Sequence, residues 1–296
     1  MLKPTEFCIV GLGLLGGSYA MALTKKGHRV TAIDVRGAAI AWAQEKGIIA
    51  DGAVDDGAHD GDMARLLGAA GAVVLGLYPA DLAPWLRARQ GLLRPGALVT
   101  DVCGVKRAVV GTVQGFLRPD VEYIPSHPMA GREVSGVENA DDRLFAPANF
   151  LITPTAQNTP AAVAWAKDLA AELGFAHVSV LSCEEHDRMI GYVSQLTHAI
   201  AVSLMNANSD PHLVDYTGDS FRDLTRIAKI NEELWSQLFF ANRDMLTAEI
   251  EQFEAALTDL KAKLAAGDEA GLKELFRRAT ARRRLFDRPA PGDKTS

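Results

Sequence analysis

The chain has 296 residues, of which 48% are hydrophobic and 23% charged, and its formal net charge is −6. This composition is typical of a globular protein, and the acidic balance argues against nucleic acid as the main partner, because phosphate binding needs a basic face. No apolar run reaches the roughly 18 residues of a membrane span, so we expect no membrane partner. The six residues before the first predicted strand are too few for a signal peptide, so we expect none. Cys8, Cys103 and Cys183 are too widely spaced for a disulfide framework or a zinc site, so we expect no metal and a reducing, cytoplasmic location.

Short apolar runs alternate with helical patterns through the first part of the chain. The apolar runs predict strands at residues 7–10, 29–33, 72–77, 97–101, 121–125, 150–153 and 177–181. Helices are predicted at residues 18–26, 38–46 and 160–173. The acidic, glycine-rich segment 51–62 is predicted to be a solvated loop, because its acids lack the spacing of a calcium-binding loop. Strands that alternate with helices indicate a mostly parallel, doubly wound sheet.

A glycine-rich sequence, GLGLLGG at residues 11–17, follows the first predicted strand. Gly11 permits the tight turn, Gly13 lets a pyrophosphate approach the backbone, and Gly16 lets the next helix pack close to the strand. The amides at the start of that helix, including those of Leu14 and Leu15, would point at the phosphates. This context predicts a dinucleotide-binding, Rossmann-type domain, and a glycine-rich turn without a ligand is the alternative.

Asp34 lies at the end of the second predicted strand, where the residue that binds a dinucleotide ribose is expected. Its carboxylate can accept hydrogen bonds from both ribose hydroxyls. A 2′-phosphate there would meet a like charge, at a cost of up to roughly 4 kcal/mol for charges about 4 Å apart in an intermediate dielectric. We therefore expect NAD as the cofactor, with NADP as the alternative because Arg36 could hold a phosphate.

Tyr78 and Cys103 follow later strands of the predicted sheet, and both are expected along the cofactor towards its nicotinamide. Cys103 could instead be a nucleophile, but no neighbouring feature of the sequence argues for the lowered pKa that a reactive thiol needs. We therefore expect Cys103 to pack beside the cofactor.

The sequence SHPMAGRE at residues 126–133 contains the first candidate for chemistry. His127 follows the predicted strand 121–125, and ligands of open α/β sheets bind at strand ends. Histidine has an unperturbed pKa near 6.5, so it can accept a proton when hydride is removed from an alcohol. A capping or buried structural histidine is the alternative interpretation.

Two further groups of polar residues lie in the helical part of the chain. Ser194, Gln195 and His198 fall within about one helical turn, and Ser194 and His198 share a face. Polar side chains on an apolar helix usually face a partner or a site, and a core or interface role for His198 is the alternative. Arg226 lies among apolar neighbours, and its guanidinium needs a carboxylate from a ligand or from Asp223.

After residue 182 only helical periodicity is visible. Residues 184–207 are largely apolar, and residues 231–264 carry apolar side chains at helical spacing. The predicted fold class is an α/β N-terminal Rossmann-type doubly wound sheet plus an all-α C-terminal domain. The predicted boundaries are 1–181 for the dinucleotide-binding domain, 182–288 for a helical substrate-binding and dimerisation domain, and 289–296 for a disordered tail. The apolar helices favour a homodimer, with packing inside one chain as the alternative.

These blocks together resemble the prephenate/arogenate dehydrogenase family of tyrosine biosynthesis. The resemblance extends to about residue 280, and it rests on the glycine loop, on SHPMAG with Glu133 and the following Ser135 and Gly136, and on FRDLTRIA at residues 221–228. It implies an NAD-dependent oxidative decarboxylation of prephenate, a dianionic small molecule, to 4-hydroxyphenylpyruvate.

The resemblance also assigns roles to the candidate residues. It implies that His127 accepts the proton of the ring hydroxyl as hydride leaves the ring. Arg226 would bind a carboxylate of the substrate, and His198 would orient the substrate from the helical domain. Gln195 and Ser126 are assigned to the same substrate site.

The chain departs from the family pattern at two positions. Gly104 stands where other members often have a serine that assists the histidine, so the assistance is expected from Ser126, a cofactor hydroxyl or water. Gln195 stands where other members often have a histidine, which leaves open the choice between prephenate, arogenate and both. Neither a regulatory domain of the ACT type nor a chorismate mutase segment is visible, so we expect a monofunctional enzyme.

Two other functions fit these residues less well. A 3-hydroxyacid dehydrogenase would use a lysine on the first long helix of its second domain, and residues 184–207 contain no lysine. A non-catalytic NAD sensor would have lost the proton acceptor and the cation, whereas His127, His198 and Arg226 are all present.

Overall fold

The structure is a computed structural model that describes Leu2 and residues 5–287. The predicted tail at residues 289–296 lies outside this described part. The chain forms two compact units, Met1–Leu246 and Thr247–Ser296. Within the described residues, no helix combines the length and the apolar character that crossing a bilayer requires.

A six-stranded parallel sheet forms the centre of the first unit, with the strand order β3-β2-β1-β4-β5-β6. Its strands are β1 (Glu6–Val10), β2 (Arg29–Asp34), β3 (Asp51–Val54), β4 (Ala72–Leu75), β5 (Leu98–Asp101) and β6 (Glu122–Tyr123). This sheet confirms the predicted Rossmann-type architecture. The order reverses direction between β1 and β4, so the loop after β1 lies where open α/β sheets bind their ligands.

Helices cover both faces of this sheet. They are α1 (Leu14–Lys25), α2 (Gly37–Glu45), α3 (Asp60–Ala69), α4 (Pro79–Arg89) and α5 (Arg107–Gln114). Successive residues of β1 alternate between two hydrophobic clusters: Phe7 and Ile9 belong to one, and Cys8 and Val10 to the other. Such burial on both faces is typical of parallel strands.

The prediction of a solvated loop at residues 51–62 was wrong at both ends of the segment. Its first residues form β3, and Asp60 begins α3. Ala53 is the one fully buried residue of β3, and the strand is held by pairing with β2. Because this strand lies at the sheet edge and buries little apolar surface, its sequence has the polar character of a loop.

A second, three-stranded sheet lies beside the first. It consists of β7 (Ser126–Pro128), β8 (Asn149–Ile152) and β9 (His177–Val180), with β7 and β8 antiparallel and β8 and β9 parallel. Helix α6 (Pro160–Leu173) connects β8 to β9. The sequence placed these last strands in the parallel sheet. The predicted strand 121–125 ends early because Pro125 has no N–H for the ladder, so His127 lies within β7 instead of following a strand of the main sheet.

From Cys183 to Arg284 every regular element of the described chain is helical. The order is α7 (Cys183–Ile190), a π-helical turn (Gly191–Leu196), α8 (Thr197–Asn206), α9 (Leu213–Tyr216), α10 (Asp219–Thr225), a 3₁₀ turn (Arg226–Ala228), α11 (Glu232–Ala241), α12 (Arg243–Ala266) and α13 (Glu269–Arg284). Ser182 begins this part with a capping box to Glu185. The helical pattern predicted over residues 231–264 is interrupted at Asn242, which separates α11 from α12.

The second unit contains most of α12 and all of α13. Gly267 turns the chain between the two helices with a φ of +65°, and Asp268 caps α13 by accepting a hydrogen bond from the Gly271 amide. Large apolar side chains of this unit are exposed, among them Phe253, Leu257, Leu264 and Phe276.

Candidate active site

The glycine loop after β1 is shaped to receive a flat or charged group close to its backbone. Gly11 has a φ of +92°, and a Cβ there would lie 2.5 Å from the carbonyl oxygen of Gly76. A Cβ on Gly16 would overlap the carbonyl oxygen of Gly11, whereas a Cβ on Gly13 would meet nothing within 4 Å. Helix α1 begins at Leu14, so its free amides face the open space beside Gly13. The loop therefore fits the pyrophosphate of a dinucleotide.

Asp34, at the end of β2, faces this loop. Its Oδ2 accepts a hydrogen bond from the Leu12 amide at 2.6 Å, and its Oδ1 accepts one from the Arg36 amide at 2.8 Å. The Arg36 guanidinium lies 3.5 Å from Oδ1 and donates to the carbonyl oxygen of Leu12 at 3.1 Å. The carboxylate is thus oriented by the backbone, and the guanidinium partly balances its charge.

Tyr78 and Cys103 lie close to the ends of β4 and β5. The Tyr78 hydroxyl accepts a hydrogen bond from the Asn231 side chain at 3.0 Å, and the Ala80 amide donates to Gln237 at 3.0 Å. These two bonds join helix α11 to the sheet edge. Cys103 is buried, and burial raises the pKa of its thiol to about 12. A nucleophilic role for Cys103 therefore has no support in its surroundings.

His127 lies in the middle of β7 and is partly buried. Its Nδ1 lies 2.9 Å from Nε2 of His186, and the two rings are tilted by 57°. Its other nitrogen, Nε2, faces Gly104, where an added Cβ would lie 3.8 Å away. Burial lowers the pKa of His127 well below its usual value, and His186 and Lys106 lower it further. The ring is therefore a neutral imidazole near neutral pH, which is the form that accepts a proton.

His186 and Asp187 complete this arrangement from α7. Nδ1 of His186 lies 2.7 Å from Oδ1 of Asp187, and both side chains are fully buried. The Asp187 carboxylate also accepts hydrogen bonds from the amides of Lys106 and Arg107, each at 2.8 Å, at the start of α5. We did not predict this pair from the sequence. The adjacent histidine and aspartate in the first helix after Ser182 were the available signal.

Ser126 does not take the position that the sequence suggested for it. Its hydroxyl is fully buried, lies 2.9 Å from the Thr100 hydroxyl and donates to the carbonyl oxygen of Asp101 at 2.9 Å. Ser126 thus joins β7 to β5, and its hydroxyl is engaged by Thr100 and Asp101. The group that contacts the His127 ring is His186.

A buried ion pair lies beneath β7. Lys106 Nζ is 2.5 Å from Oδ1 of Asp101 and donates to the carbonyl oxygen of Ser126 at 2.6 Å. The Tyr123 hydroxyl donates to the second oxygen of Asp101 at 2.6 Å. Both charged side chains are fully buried, so the pair fixes the backbone next to His127 with several hydrogen bonds at once.

Gln195, predicted as a substrate contact, is buried, and both ends of its side-chain amide are engaged. Its Nε2 donates to the carbonyl oxygen of Leu238 at 3.0 Å, and its Oε1 accepts from Asn242 at 2.8 Å. Asn242 also donates to the carbonyl oxygen of Asp187 at 2.8 Å. The Leu238 side chain in turn faces Gly104, where an added Cβ would lie 3.2 Å from its Cδ2. Gln195 therefore supports α11 beside the His127 site.

His198 is the second residue of α8 and lies two residues after the π-helical turn. Its Nδ1 lies 2.9 Å from the carbonyl oxygen of Ser194, so it donates there, and its ring stacks on Trp235 with centroids 3.6 Å apart. Burial lowers the pKa of His198, and nearby Arg226 acts in the same direction, whereas the bond to Ser194 and the charge of Glu133 oppose the change. His198, Arg226 and Glu133 are therefore electrostatic neighbours.

Arg226 forms an ion pair with Glu133, which lies 93 residues earlier in the chain, in the loop after β7. The sequence offered Asp223 or a ligand as the partner, and Glu133 takes the place of Asp223 as the partner within the protein. Arg226 is 63% exposed and Glu133 is 30% exposed. The guanidinium can therefore reach a ligand from solvent while it stays anchored to the loop that follows His127.

These features define a class of protein: an oxidoreductase with a nucleotide-binding parallel sheet, a neutral histidine near the sheet edge, and a cation supplied by the helical part. Two family models match the chain: "Prephenate dehydrogenase, nucleotide-binding domain" over residues 19–180 and "Prephenate dehydrogenase, dimerization domain" over residues 182–278. The chain belongs to the prephenate dehydrogenase family. The match begins after the glycine loop, so the loop is assigned from its geometry.

Individual relatives agree with this membership. The chain is 30% identical over 283 residues to the prephenate dehydrogenase of Lactococcus lactis, covering 92% of this chain and 74% of that protein. It is 29% identical over 284 residues to the cyclohexadienyl dehydrogenase of Zymomonas mobilis, covering 92% of both. The crystal structure of prephenate dehydrogenase from Aquifex aeolicus, in complex with hydroxyphenyl propionate and NAD⁺, has a TM-score of 0.87 at 29% identity, covering 97% of this chain and 99% of that one.

Proposed function

We propose that this protein is an NAD-dependent prephenate dehydrogenase that converts prephenate to 4-hydroxyphenylpyruvate and carbon dioxide. The observation that carries the proposal is His127: a neutral imidazole whose Nδ1 is engaged by His186 and whose Nε2 faces the space at Gly104. A base in this state, near the end of a nucleotide-binding sheet, suits the removal of a proton from an alcohol that loses hydride.

NAD, when bound, supplies the hydride acceptor. The space beside Gly13 and the amides at the start of α1 would hold its phosphates. Asp34 would accept hydrogen bonds from the ribose hydroxyls, and its charge disfavours a 2′-phosphate. Arg36 is already paired with Asp34 and Leu12, which supports the preference for NAD over NADP. Tyr78 and Cys103 would line the path of the cofactor along the sheet edge.

The proton and the carboxylate leave the substrate ring by separate routes. The O–H bond of the ring hydroxyl breaks as its proton moves to Nε2 of His127, and hydride leaves the same ring carbon. The C–C bond to the ring carboxylate breaks, carbon dioxide departs, and its bonding electrons complete the aromatic ring and leave a phenolate oxygen. That oxygen takes the proton back from His127, which gives the hydroxyl of 4-hydroxyphenylpyruvate and restores the base. Because the product is aromatic, the step is strongly downhill. The protein needs to align the ring, remove one proton and exclude water.

The helical part would bind the anionic groups of the substrate. Arg226 is exposed and would form charge-assisted hydrogen bonds with a substrate carboxylate. His198, held by Ser194 and flat against Trp235, would contribute a directed Nε2. Glu133 keeps the guanidinium of Arg226 close to the loop that carries His127, so the two ends of the substrate can be held at once.

Oxidation of arogenate is a second candidate, and Glu133 is the observation that favours it. Arogenate carries an amino group where prephenate carries a keto group, and a carboxylate beside Arg226 could bind the resulting ammonium. The similarity to a cyclohexadienyl dehydrogenase points the same way.

A homodimer is part of the proposal. Several large apolar side chains of α12 and α13 are exposed, and groups of exposed apolar side chains often mark interfaces. The matched "dimerization domain" supports this interpretation.

We also infer domain limits of 1–181 and 182–288. A cytoplasmic location is a further inference, and the three free cysteines support it.

The formation of the reduced cofactor, followed by absorbance, tests the proposed function. Prephenate and arogenate are each mixed with the protein and with NAD or NADP. Turnover with prephenate and NAD, at a higher kcat/KM than in the other three mixtures, is the expected result. A folded protein that binds NAD and is inactive in all four mixtures would show that the chemistry differs from that of its relatives.

A further inference from the structure

The Asp187 carboxylate has hydrogen-bond partners both at the start of α5 and on its own helix, α7. It accepts the amides of Lys106 and Arg107 at the start of α5, where the helix dipole favours a negative charge. The Arg107 Nε lies 3.5 Å from Oδ2, and Nδ1 of His186 lies 2.7 Å from Oδ1. Capping of α5 needs the first two bonds alone, so the bond to His186 requires another explanation.

The bond between Asp187 and His186 determines where the ring protons lie. Because a carboxylate accepts, Nδ1 of His186 is the protonated nitrogen, and Nε2 of His186 is then an acceptor in the neutral ring. That acceptor lies 2.9 Å from Nδ1 of His127, so Nδ1 of His127 carries the proton. We therefore assign the lone pair of His127 to Nε2, the nitrogen that faces Gly104.

We propose that His186 and Asp187 are positioning residues that hold the ring and the tautomer of His127 so that Nε2 is presented as the base. This inference rests on the proposed function, in which His127 accepts the substrate proton. Gly104 has no side chain that could orient His127, and the hydroxyl of Ser126 is engaged elsewhere. The side chain that orients His127 is therefore that of His186, on α7.

Neither residue can contact the substrate, since both side chains are fully buried. Their effect must pass through His127. When Nε2 takes the proton, the imidazolium can donate its Nδ1 proton to His186, and the charge of Asp187 lies one ring further on. A carboxylate placed behind a catalytic histidine in this way fixes the tautomer and stabilises the cation that forms.

The decisive variant is His186→Phe, which keeps a ring of similar size and removes the acceptor for Nδ1 of His127. We expect kcat with prephenate and NAD to fall by about 10²-fold or more, while both KM values stay within about threefold. His186→Gln restores an acceptor oxygen, so it should be at least about tenfold faster than the Phe variant. The tautomers can be read directly from ¹⁵N chemical shifts of labelled histidine, with an unprotonated Nε2 on His127 in the unaltered protein and a mixture of tautomers in His186→Phe.

A matched control is His28→Phe, because His28 is also buried and packs edge-on against Phe7, away from this site. It should alter the thermal unfolding temperature without altering kcat.

The variant His127→Asn distinguishes failure of the positioning role from failure of the proposed function. If this variant is inactive and His186→Phe keeps kcat within about threefold of the unaltered protein, the positioning role is wrong and the function stands. If His127→Asn is itself active, the assignment of the base is wrong. A proton on Nε2 of His127 in the unaltered protein would also overturn the positioning role.

Discussion

The regions around His127 and His198 hold their histidines in opposite ways. His127 lies within β7 above a buried ion pair, and its Nδ1 is 2.9 Å from Nε2 of the fully buried His186. His198 lies on a helix against Trp235, beside an ion pair in which Arg226 is 63% exposed. A rigid, dry surrounding suits a group whose proton must move at one place, and an open surrounding suits groups that capture a charged molecule from water. The comparison predicts that damage to the first region lowers kcat and that damage to the second raises KM.

The largest effect is expected from His127→Asn. This change removes the proposed base and keeps a polar side chain of moderate size, so we expect kcat to fall by about 10²–10⁴-fold. The NAD dissociation constant, measured by fluorescence titration, should stay within about twofold, because the glycine loop and Asp34 are unaffected. The control is His177→Asn on the exposed strand β9 of the same sheet. Near-normal kcat in the His127 variant would contradict the distinction between the two regions.

The second effect concerns the exposed region. Arg226→Ala removes the charge-assisted hydrogen bonds that we propose Arg226 makes to a substrate carboxylate, at a cost of roughly 1.5–3 kcal/mol. The KM for prephenate should therefore rise by roughly 10- to 150-fold, with a much smaller change in kcat. Arg222→Ala is the matched control, because Arg222 pairs with Asp219 on the adjoining helix α10. If kcat falls by a larger factor than KM rises, Arg226 acts on the chemical step. The expectation that changes near His198 affect mainly KM would then be wrong.

The pH dependence of turnover tests the burial of His127. A base must be unprotonated to act, and burial lowers the pKa of His127 well below its usual value near 6.5. Activity should therefore persist as the pH falls through about 6.5 and decline, by about tenfold per pH unit, below the lowered pKa. The measurement is kcat/KM for prephenate from pH 4.5 to 8, within the range where circular dichroism shows a folded protein. An acid limb centred near 6.5 would mean that the surroundings of His127 do not lower its pKa.

The smallest effect is expected from Gly104→Ser. The new Cβ would lie 3.2 Å from Cδ2 of Leu238 and 3.8 Å from Nε2 of His127, so Leu238 must shift slightly while the base keeps its support from His186. We expect kcat to change by less than about tenfold. The companion variant, Gly104→Ser with Leu238→Ala, relieves the crowding and should recover what the single change loses. A drop of 10²-fold or more would mean that the space at Gly104 is essential.

The sequence predicted the parallel sheet because its central strands are apolar on both faces and are separated by turn signals. It failed at β3 because one buried residue, Ala53, gives no apolar run. It failed at β7 because an apolar sequence cannot show that Pro125 ends one ladder and that the next strand joins another sheet. The local sequence pattern indicates which residues are buried. Which strands pair with one another depends on contacts between residues that are distant in the sequence.

The candidate site was predictable where a motif is continuous and unpredictable where partners are distant. The glycine loop and Asp34 lie close together in the sequence, and their roles stay a prediction that the geometry supports. His186 lies 59 residues from His127, and Glu133 lies 93 residues from Arg226. No local rule connects such positions. The resemblance to the family indicated that the histidine lacked its usual helper at Gly104, but only the packing of α7 against α5 reveals its replacement.

The buried pair of Lys106 and Asp101 has a consequence for how this protein can change over generations. Loss of either charge alone strands the other in a dry interior, at a cost of about 3–5 kcal/mol, whereas a joint replacement by apolar residues is often neutral or stabilising. Since Lys106 also holds the carbonyl oxygen of Ser126, that joint replacement would release the backbone beside the base. The two positions are therefore epistatic. A single substitution at Lys106 or Asp101 is disfavoured because it destabilises the fold, and the double substitution is expected to keep stability but lower activity.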